Sequence, residues 1–503
     1  MRLACAAVRR SLRWPRRIDP ALAAVVGVGV LVRLVWCLVA VRPHVGQHDP
    51  AVYVRLATDL AEGRGYHTAS GAPTAYYPVG YPALLAVAWW LVIHTPLPDD
   101  VWWTAAGLNI VAGAVTVACV GVVGRRVIGR RAGLLAAGVV ALAPNLVFNS
   151  APALTESSFV ALSAAALVVL GVGAIRQRPP ARAVGAGVLF GLAGLVRPVG
   201  LVLVLAVVAA ALLGRVVGRR SEPPPWAAPR ALRWMVLGVV VVTVPWVARN
   251  DARIGRPTLA TSTGDNLCIG NNPGANGAFQ LPDVCFADVP DLVGGTDEAR
   301  RDRILSSRAT HWAVDHLGEQ PRLVWQRSFW TMRSDHDGLR AVQSYEADPW
   351  LTTYHRGLER LLAAGADLWW WLLLAGAIVG AWRGRWFVRS DRLLVLAGTL
   401  GLLMAVWPFF GDTRFHLPMV PLLALPAADA LDRLLGRFGD AAPGGVQRHE
   451  EHGEQGGPVH HSEDQGPAEA GRGVGHELVQ RDVGAGAERQ HRAGAADEHG
   501  DEV

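Results

Sequence analysis

The sequence HDPAVYVRLATDLAEGRGYHTASGAPTAYYPVGYP, residues 48–82, is the first long polar and aromatic stretch in a chain dominated by apolar runs. Asp49 precedes Pro50. Because Asp is favoured as a helix cap and Pro at the first helical position, a short helix is expected to begin here. The apolar residues that follow recur at helical spacing, which predicts a helix lying on a membrane surface. On spacing alone, a capping role and a functional role explain Asp49 equally well.

The composition is that of a membrane protein. The chain has 503 residues, 51% of them hydrophobic, and several apolar runs are long enough to cross a bilayer, which predicts a polytopic membrane protein. The net charge of +6 does not indicate nucleic-acid binding, because the basic residues lie in loops between apolar runs rather than along one face. Five cysteines in this length do not make a disulfide scaffold.

The arginines predict the topology, because short positive loops stay on the cytoplasmic side. The apolar run 81–95 is short for a span, and letting it cross would place the Arg-rich loop 124–131 outside, so it is interpreted as a second juxtamembrane helix. Arg33, inside the first span, must contact protein or water. About ten spans result, with both termini cytoplasmic. They are predicted near residues 21–41, 102–123, 132–149, 157–175, 182–197, 199–214, 232–248, 367–382, 391–408 and 416–435.

Two further segments complete the predicted organisation. Residues 249–366 combine turn formers with helical spacing that is interrupted at Gly318 and Pro321, which predicts a small α-rich outer domain. Beyond residue 440 large apolar side chains nearly disappear, so a disordered tail is expected. The predicted domains are a cytoplasmic basic N-terminus (1–18), a membrane domain (19–248) with the first outer loop (42–101), the outer domain (249–366), the C-terminal transmembrane helices (367–435) and a disordered cytoplasmic tail (436–503).

Several motifs resemble one known family. They are the Asp49 loop, the G-x-G-Y turn at 63–66, the aromatic-Pro-x-G-Y-P segment at 77–82 and N-L-C-I-G-N-N-P at 266–273. They resemble the polyprenyl-phosphate-sugar-dependent glycosyltransferases of the GT-C fold, family 39 type, which are related to protein O-mannosyltransferases and aminoarabinose transferases. The resemblance covers about residues 20–435 and implies an all-α polytopic membrane protein of GT-C type. Many relatives carry Asp-Glu where this chain has Asp-Pro, so the second acid comes from elsewhere or is dispensable.

The resemblance also implies a site at the outer ends of the helices. Asp49 would be the general base, and Glu156, in a Thr-Glu motif, a second acid at the acceptor site; the alternative for Glu156 is a solvated helix cap. Arg197, Arg414 and His416 would bind the donor phosphate, since Arg pairs with phosphate in a forked, charge-assisted geometry. The alternative for the arginines is simple anchoring at the membrane interface.

Other side chains in these motifs are candidate contacts to the sugar or the acceptor, although Asn-Asn-Pro-Gly is also ordinary turn chemistry. They are His48, Tyr53, Tyr77, Asn266, Asn271 and Asn272. Cys268 and Cys285 lie in the predicted outer domain, where a disulfide is permitted, and the sequence leaves a bond and two free thiols equally open. The resemblance implies no obligatory metal or other cofactor.

The function implied is inverting transfer of a sugar, such as mannose or another hexose or pentose, from a polyprenyl-phosphate donor. The acceptor would be a hydroxyl of an envelope glycan, lipid or protein at the outer face of the plasma membrane. A transporter or lipid-linked sugar flippase is a second hypothesis, against which the lack of clear inverted-repeat hydropathy argues. A third is a catalytically inactive GT-C-like assembly partner, which the missing Glu after Asp49 keeps open.

Overall fold

A computed structural model describes residues 19–44, 46, 48–174, 180–217, 224–289, 297–345 and 350–440. Within them the chain forms α-helices and short 3₁₀ turns, and its only extended pairings are two isolated bridges. The predicted all-α fold is confirmed. The basic N-terminus 1–18 and most of the predicted tail 436–503 lie outside the described residues, and the last helix continues five residues into that tail, to Asp440.

The helices follow the predicted apolar runs and juxtamembrane segments. In chain order they are α1 (Pro20–Ala40), α2 (Asp49–Ala61), α3 (Gly80–Ile93), α4 (Val101–Val127), α5 (Arg130–Leu142), α6 (Pro144–Phe148), α7 (Glu156–Leu170), α8 (Pro180–Val196), α9 (Gly200–Val217), α10 (Pro229–Ile254), α11 (Thr263–Gly270), α12 (Asp283–Phe286), α13 (Glu298–Asp315), α14 (Gln320–Met332), α15 (Asp337–Tyr345), α16 (Trp350–Tyr354), α17 (Arg356–Arg383), α18 (Ser390–Met404) and α19 (Val420–Asp440). Among these, α1, α4, α10 and α17 are each long and apolar enough to span a membrane alone. The number of spans and their orientation stay predictions.

The run predicted as one span near 132–149 is divided in the structure. Helix α5 ends at Leu142 and α6 begins at Pro144, whose missing N–H cannot continue the helical hydrogen bonds. Arg33 of α1 satisfies the carbonyl groups that the break exposes: it donates to Ala141 (2.9 Å) and Val140 (3.3 Å). The intramembrane arginine is therefore an interior contact that closes the end of α5.

The break predicted at Arg197 and Pro198 is present, because α8 ends at Val196 and α9 begins at Gly200. It leaves Arg197 in the connection between two apolar helices. The start of α3 packs directly on this place: a Cβ at Gly80 would overlap the carbonyl of Leu195. Only glycine fits there, and the close approach fixes the first outer loop beside Arg197.

The segment predicted as the outer domain is helical, and its described residues belong to the same compact unit as the apolar helices. The predicted interruption at Gly318 and Pro321 appears as the boundary between α13 and α14. The turn-rich start of the segment also contains a helix, α11. A disulfide joins Cys268 of α11 to Cys285 of α12, and α13 packs on it through Leu305 and Ala309.

Candidate functional site

Asp49 is held by side chains and does not cap a helix. Helix α2 begins at Asp49 itself, with His48 in the cap position, so the predicted register was one residue off. The Tyr77 hydroxyl donates to Oδ1 of Asp49 at 2.7 Å, and both terminal nitrogens of Arg414 donate to Oδ2 at 3.3 Å. Because the described residues bring no backbone N–H to this carboxylate, the capping interpretation loses its physical basis.

Glu156 begins α7 and lies between two arginines. Its side chain is only 1% exposed, which contradicts the alternative of a solvated cap. Arg197 donates to Oε1 of Glu156, and Nε of Arg414 lies 3.3 Å from the same oxygen. The Thr155 hydroxyl donates to the second oxygen at 3.2 Å. Glu156 thus connects the two cations, and we call Asp49, Glu156, Arg197 and Arg414 the site cluster.

Arg414 is the centre of the site cluster. A short 3₁₀ turn, Thr413–Phe415, carries it, and the Asp412 carboxylate accepts the Arg414 backbone N–H at 3.0 Å. Its Nε is buried and has no hydrogen-bond partner in the part of the chain that is described. Burial lowers the pKa of Arg414, but the carboxylates of Glu156 and Asp49 outweigh burial and hold that pKa well above its usual range. The site cluster therefore contains a permanent cation whose Nε makes an ion-pair contact with Glu156 but no hydrogen bond to the described residues.

The two arginines of the site cluster share one aromatic ring. The guanidinium carbon of Arg197 lies 5.7 Å from the centroid of Phe415, and that of Arg414 lies 6.0 Å from it. Their side chains are 13% and 22% exposed. Two cations that are partly shielded from water interact with an anion more strongly than exposed ones would.

His416, which the sequence placed with the donor phosphate, points elsewhere. Its Nδ1 bonds the Thr331 carbonyl at 2.6 Å, its Nε2 bonds Asp335 at 2.8 Å, and its ring stacks on Trp370 with centroids 4.0 Å apart. Since the side chain is fully buried and both ring nitrogens are occupied, it has none left for a ligand. In this structure His416 fixes the turn that carries Arg414.

The candidate contacts near Asp49 differ in accessibility. Burial, and then the Asp49 carboxylate, raise the pKa of Tyr77 above its usual range, so its hydroxyl keeps the proton that it donates. The Tyr53 ring is buried and lies edge-on to Tyr77, with centroids 4.9 Å apart. His48 is exposed, and its ring lies 5.3 Å from that of Tyr345. Of the three predicted contacts, His48 is the most accessible to a ligand.

The asparagines of the N-L-C-I-G-N-N-P motif are occupied by the backbone. Asn266 donates to a carbonyl one turn earlier at 2.9 Å, and Asn271 donates to Pro408 at 2.7 Å. Asn272 donates to Cys268 at 2.9 Å and accepts the Gly274 N–H at 2.9 Å. The turn interpretation accounts for these amides, and Asn271 also ties the outer segment to the loop that leads to Arg414.

The sequence reasoning missed Asp337, the first residue of α15. The Thr413 hydroxyl lies 3.4 Å from its carboxylate, beside the turn of Arg414. Burial, and then the nearby Asp412 carboxylate, raise the pKa of Asp337 to about 7. A signal was available in the acidic stretch S-D-H-D-G at 334–338, which directly precedes a helix.

No group of three or more His, Cys, Asp or Glu side chains in the described ranges could hold a metal ion. The carboxylates of the site cluster are instead paired with guanidinium groups. Whether activity requires a metal is a separate question, and its expected independence from metal stays a prediction.

The chain is similar to known proteins both in part of its sequence and in its fold. Residues 82–247 match the family described as dolichyl-phosphate-mannose-protein mannosyltransferase. No curated protein matches the chain. The chain is similar to the solved oligosaccharyltransferase of Archaeoglobus fulgidus in complex with zinc and sulfate, with 15% identity, coverage of 83% of this chain and 49% of that one, and a TM-score of 0.51. It is also similar to ArnT of Cupriavidus metallidurans bound to undecaprenyl phosphate, with 17% identity, coverage of 83% and 61%, and a TM-score of 0.49.

The structural match concerns the fold, whereas the family match concerns the sequence of residues 82–247. The chain spans about half the length of the archaeal protein, and at that identity the likeness concerns the fold. The family match covers helices α3 to α10 and includes Glu156 and Arg197. The likeness to the archaeal structure therefore shows that this chain shares its fold, and residues 82–247, a third of the chain, are similar to the mannosyltransferase family.

Proposed function

We propose that this protein transfers a sugar from a polyprenyl-phosphate donor to an acceptor hydroxyl at the outer face of the plasma membrane. The observation that carries the proposal is the site cluster, in which two carboxylates and two arginines from four separate parts of the chain meet. The family that matches residues 82–247 is described by a lipid-phosphate sugar donor, which is consistent with this chemistry.

The donor phosphate would bind at Arg414 and Arg197. Both arginines are partly shielded from water, and among the residues that the structure describes the Nε of Arg414 makes only an ion-pair contact with Glu156, at 3.3 Å, without a hydrogen bond, so an anionic oxygen is a natural further partner. The two arginines would then stabilise the charge that develops on the phosphate as it leaves. Glu156 would orient both guanidinium groups and supply the second acid that the Asp49-Pro50 sequence lacks.

Donor binding would also release the base. Oδ2 of Asp49 is occupied by Arg414, while Oδ1 is occupied by Tyr77. A phosphate that takes over the Arg414 nitrogens frees Oδ2 to accept a proton. The acceptor oxygen then forms a bond to the anomeric carbon while the bond between that carbon and the phosphate oxygen breaks. The proton of the acceptor hydroxyl passes to Asp49, and the electron pair of the broken bond remains on the phosphate oxygen. Attack opposite the phosphate inverts the anomeric centre.

The identities of the sugar and the acceptor, and the orientation in the membrane, are also part of this proposal. The sugar is mannose or another hexose or pentose, and the acceptor is an envelope glycan, lipid or protein. The orientation, with both termini in the cytoplasm and the site cluster outside, rests on the Arg-rich loops. The outer segment 249–366 would cover the site from the acceptor side.

The test is incubation of membranes that contain the protein with a radiolabelled polyprenyl-phosphate sugar. Label that reaches an acceptor and depends on Asp49 supports the transferase. Label that appears intact on the opposite leaflet supports the flippase instead, and no conversion with normal donor binding supports an inactive assembly partner. Each outcome separates one hypothesis from the other two.

A further inference from the structure

The loop between α2 and α3 carries Tyr77, and Glu298 of the distant outer segment holds its backbone. The Glu298 carboxylate accepts the Thr74 hydroxyl and the Ala75 N–H, both at 2.8 Å. It also accepts the Thr261 hydroxyl. Glu298 is 7% exposed, so these bonds form away from water. A carboxylate with three donors, two of them within three residues of Tyr77, fixes the path of that loop.

Asp265 of α11 holds Tyr76, the residue that precedes Tyr77. The Tyr76 hydroxyl donates to Asp265 at 3.0 Å, and Arg301 of α13 donates to both Asp265 oxygens at 3.0 and 3.2 Å. Asp265 and Arg301 are both buried. The Tyr76 ring lies edge-on to Tyr77, with centroids 5.0 Å apart. The bond to Asp265 therefore restricts the residue that precedes and contacts Tyr77.

A third contact comes from the end of α10. Arg249 donates to the carbonyl groups of Thr74 (2.7 Å) and Tyr66 (3.0 Å). The Tyr66 hydroxyl in turn donates to the Tyr77 carbonyl at 3.0 Å. These contacts hold the loop at Tyr66, at residues 74–76 and at the carbonyl of Tyr77. We call Glu298, Asp265 and Arg249 the loop clamp.

We infer that the loop clamp consists of positioning residues, which act on sugar transfer by setting the Tyr77 hydroxyl against Asp49. This inference rests on the proposed function and adds a role for the outer segment in it. An active-site side chain must be held within a fraction of an ångström, and this is achieved by residues that surround it with completed hydrogen bonds. All three clamp residues meet that description, and none of them contacts Asp49.

The experiment compares Tyr77→Phe, Glu298→Ala and the double variant by single-turnover transfer, with donor affinity measured separately. Tyr77→Phe should lower the rate by about 10-fold or more, because a hydrogen bond to a charged group is lost. Glu298→Ala should lower the rate with donor affinity retained, and the double variant should add little, because both changes act through the contact between Tyr77 and Asp49.

Additive losses of the transfer rate, or a loss of donor affinity as large as the loss of rate, would overturn the inference and leave Glu298 as a residue for stability alone. Tyr76→Phe removes one hydroxyl only, and it repeats the test if Glu298→Ala does not fold. Glu319→Ala, which removes an exposed carboxylate of the same segment, is the matched control and should leave the transfer rate unchanged. Hydrogen exchange at residues 74–77 reports loosening independently of activity.

The two proposals fail differently. Faster hydrogen exchange at residues 74–77 in Glu298→Ala, together with an unchanged transfer rate, contradicts the positioning role and keeps the transferase. A wild-type protein without transfer, or an Asp49→Asn variant with full activity, sinks the transferase itself and with it the catalytic meaning of the loop clamp.

Discussion

The site cluster and the loop clamp both join carboxylates to arginines, yet they differ in how completely their polar groups are satisfied. In the loop clamp, Glu298 accepts three donors and Asp265 is bonded by Tyr76 and Arg301. In the site cluster, the Nε of Arg414 has no hydrogen-bond partner within the described ranges, and Asp49 is 25% exposed.

The completeness of the hydrogen bonds distinguishes a structural cluster from a candidate ligand site. Buried polar groups are almost always hydrogen-bonded, and a completed network makes a rigid scaffold. An incomplete network that still faces solvent has capacity for a ligand. By this criterion we assign the loop clamp to the scaffold and propose the site cluster as the binding place of the donor phosphate.

The largest effect is expected in the site cluster. Arg414→Ala should weaken donor binding by roughly 30-fold or more, because truncating one partner of a buried charge pair costs about 2–5 kcal/mol. Arg414→Lys should restore only part of the loss, since it keeps the charge and not the forked geometry. The measurement is donor affinity in nanodiscs. Arg322→Ala removes an exposed arginine of the outer segment and serves as control; equal losses in both variants would speak against a phosphate site.

A smaller effect on activity is expected where the disulfide supports the loop clamp. Cys268 lies on α11, the helix that also carries Asp265. Replacing both Cys268 and Cys285 by Ser should lower the free energy of unfolding by about 3 kcal/mol while transfer falls by less than about 10-fold, because the bond restricts mainly the unfolded chain. Mass spectrometry of non-reduced digests checks the pairing. Two free thiols in the native protein would rule the bond out.

The smallest effect concerns Asp337, beside the site cluster. Its raised pKa of about 7 means that the folded state binds the proton more tightly than the unfolded state does. The stability this contributes is present below about pH 4, the ordinary range of the group, and is lost as pH rises through about 7. Asp337→Asn cannot ionise, so its Tm at pH 8 should exceed that of the wild type by about 2–4 °C, with a smaller difference at pH 5, where part of that stability is already lost.

The control for Asp337 is Asp315→Asn, which changes an exposed aspartate at the end of α13 and should give the same Tm difference at both pH values. A Tm of Asp337→Asn that runs parallel to the wild type over the whole pH range would contradict the raised pKa. The comparison uses thermal unfolding in one detergent at matched ionic strength.

The sequence was sufficient where function is carried by short motifs. Asp49, Glu156, Arg197 and Arg414 lie in four such motifs, and the structure brings them together. The helices were also predictable, since long apolar runs and Arg-rich loops leave few alternatives. The division of the span near 132–149 could also have been read from Pro144, which cannot continue the helical hydrogen bonds, whereas the contact of Arg33 with the end of α5 could not.

The contacts of Glu298 and of His416 were not predictable, because they join residues that are far apart in the chain. Glu298 and Thr74 are 224 residues apart in the chain, and no local pattern indicates that they are bonded. His416 lies two residues after Arg414 in a motif whose resemblance to the family assigns both to the phosphate, although the structure turns its ring toward Thr331 and Asp335. Proximity in a motif indicates a common segment of chain, but tertiary contacts decide which of its side chains reach the site.

The central claim is that Asp49 is a base and not a structural carboxylate, and one variant tests it directly. Asn at position 49 can still accept the Tyr77 hydrogen bond through its amide oxygen, but it cannot take a proton at neutral pH. The measurement is single-turnover transfer by Asp49→Asn in nanodiscs, with donor binding determined separately. We expect donor binding to be retained while the transfer rate falls by roughly 10²–10⁴-fold. A variant that binds donor and keeps more than about a tenth of the wild-type rate would contradict the account, because a general base contributes far more than that.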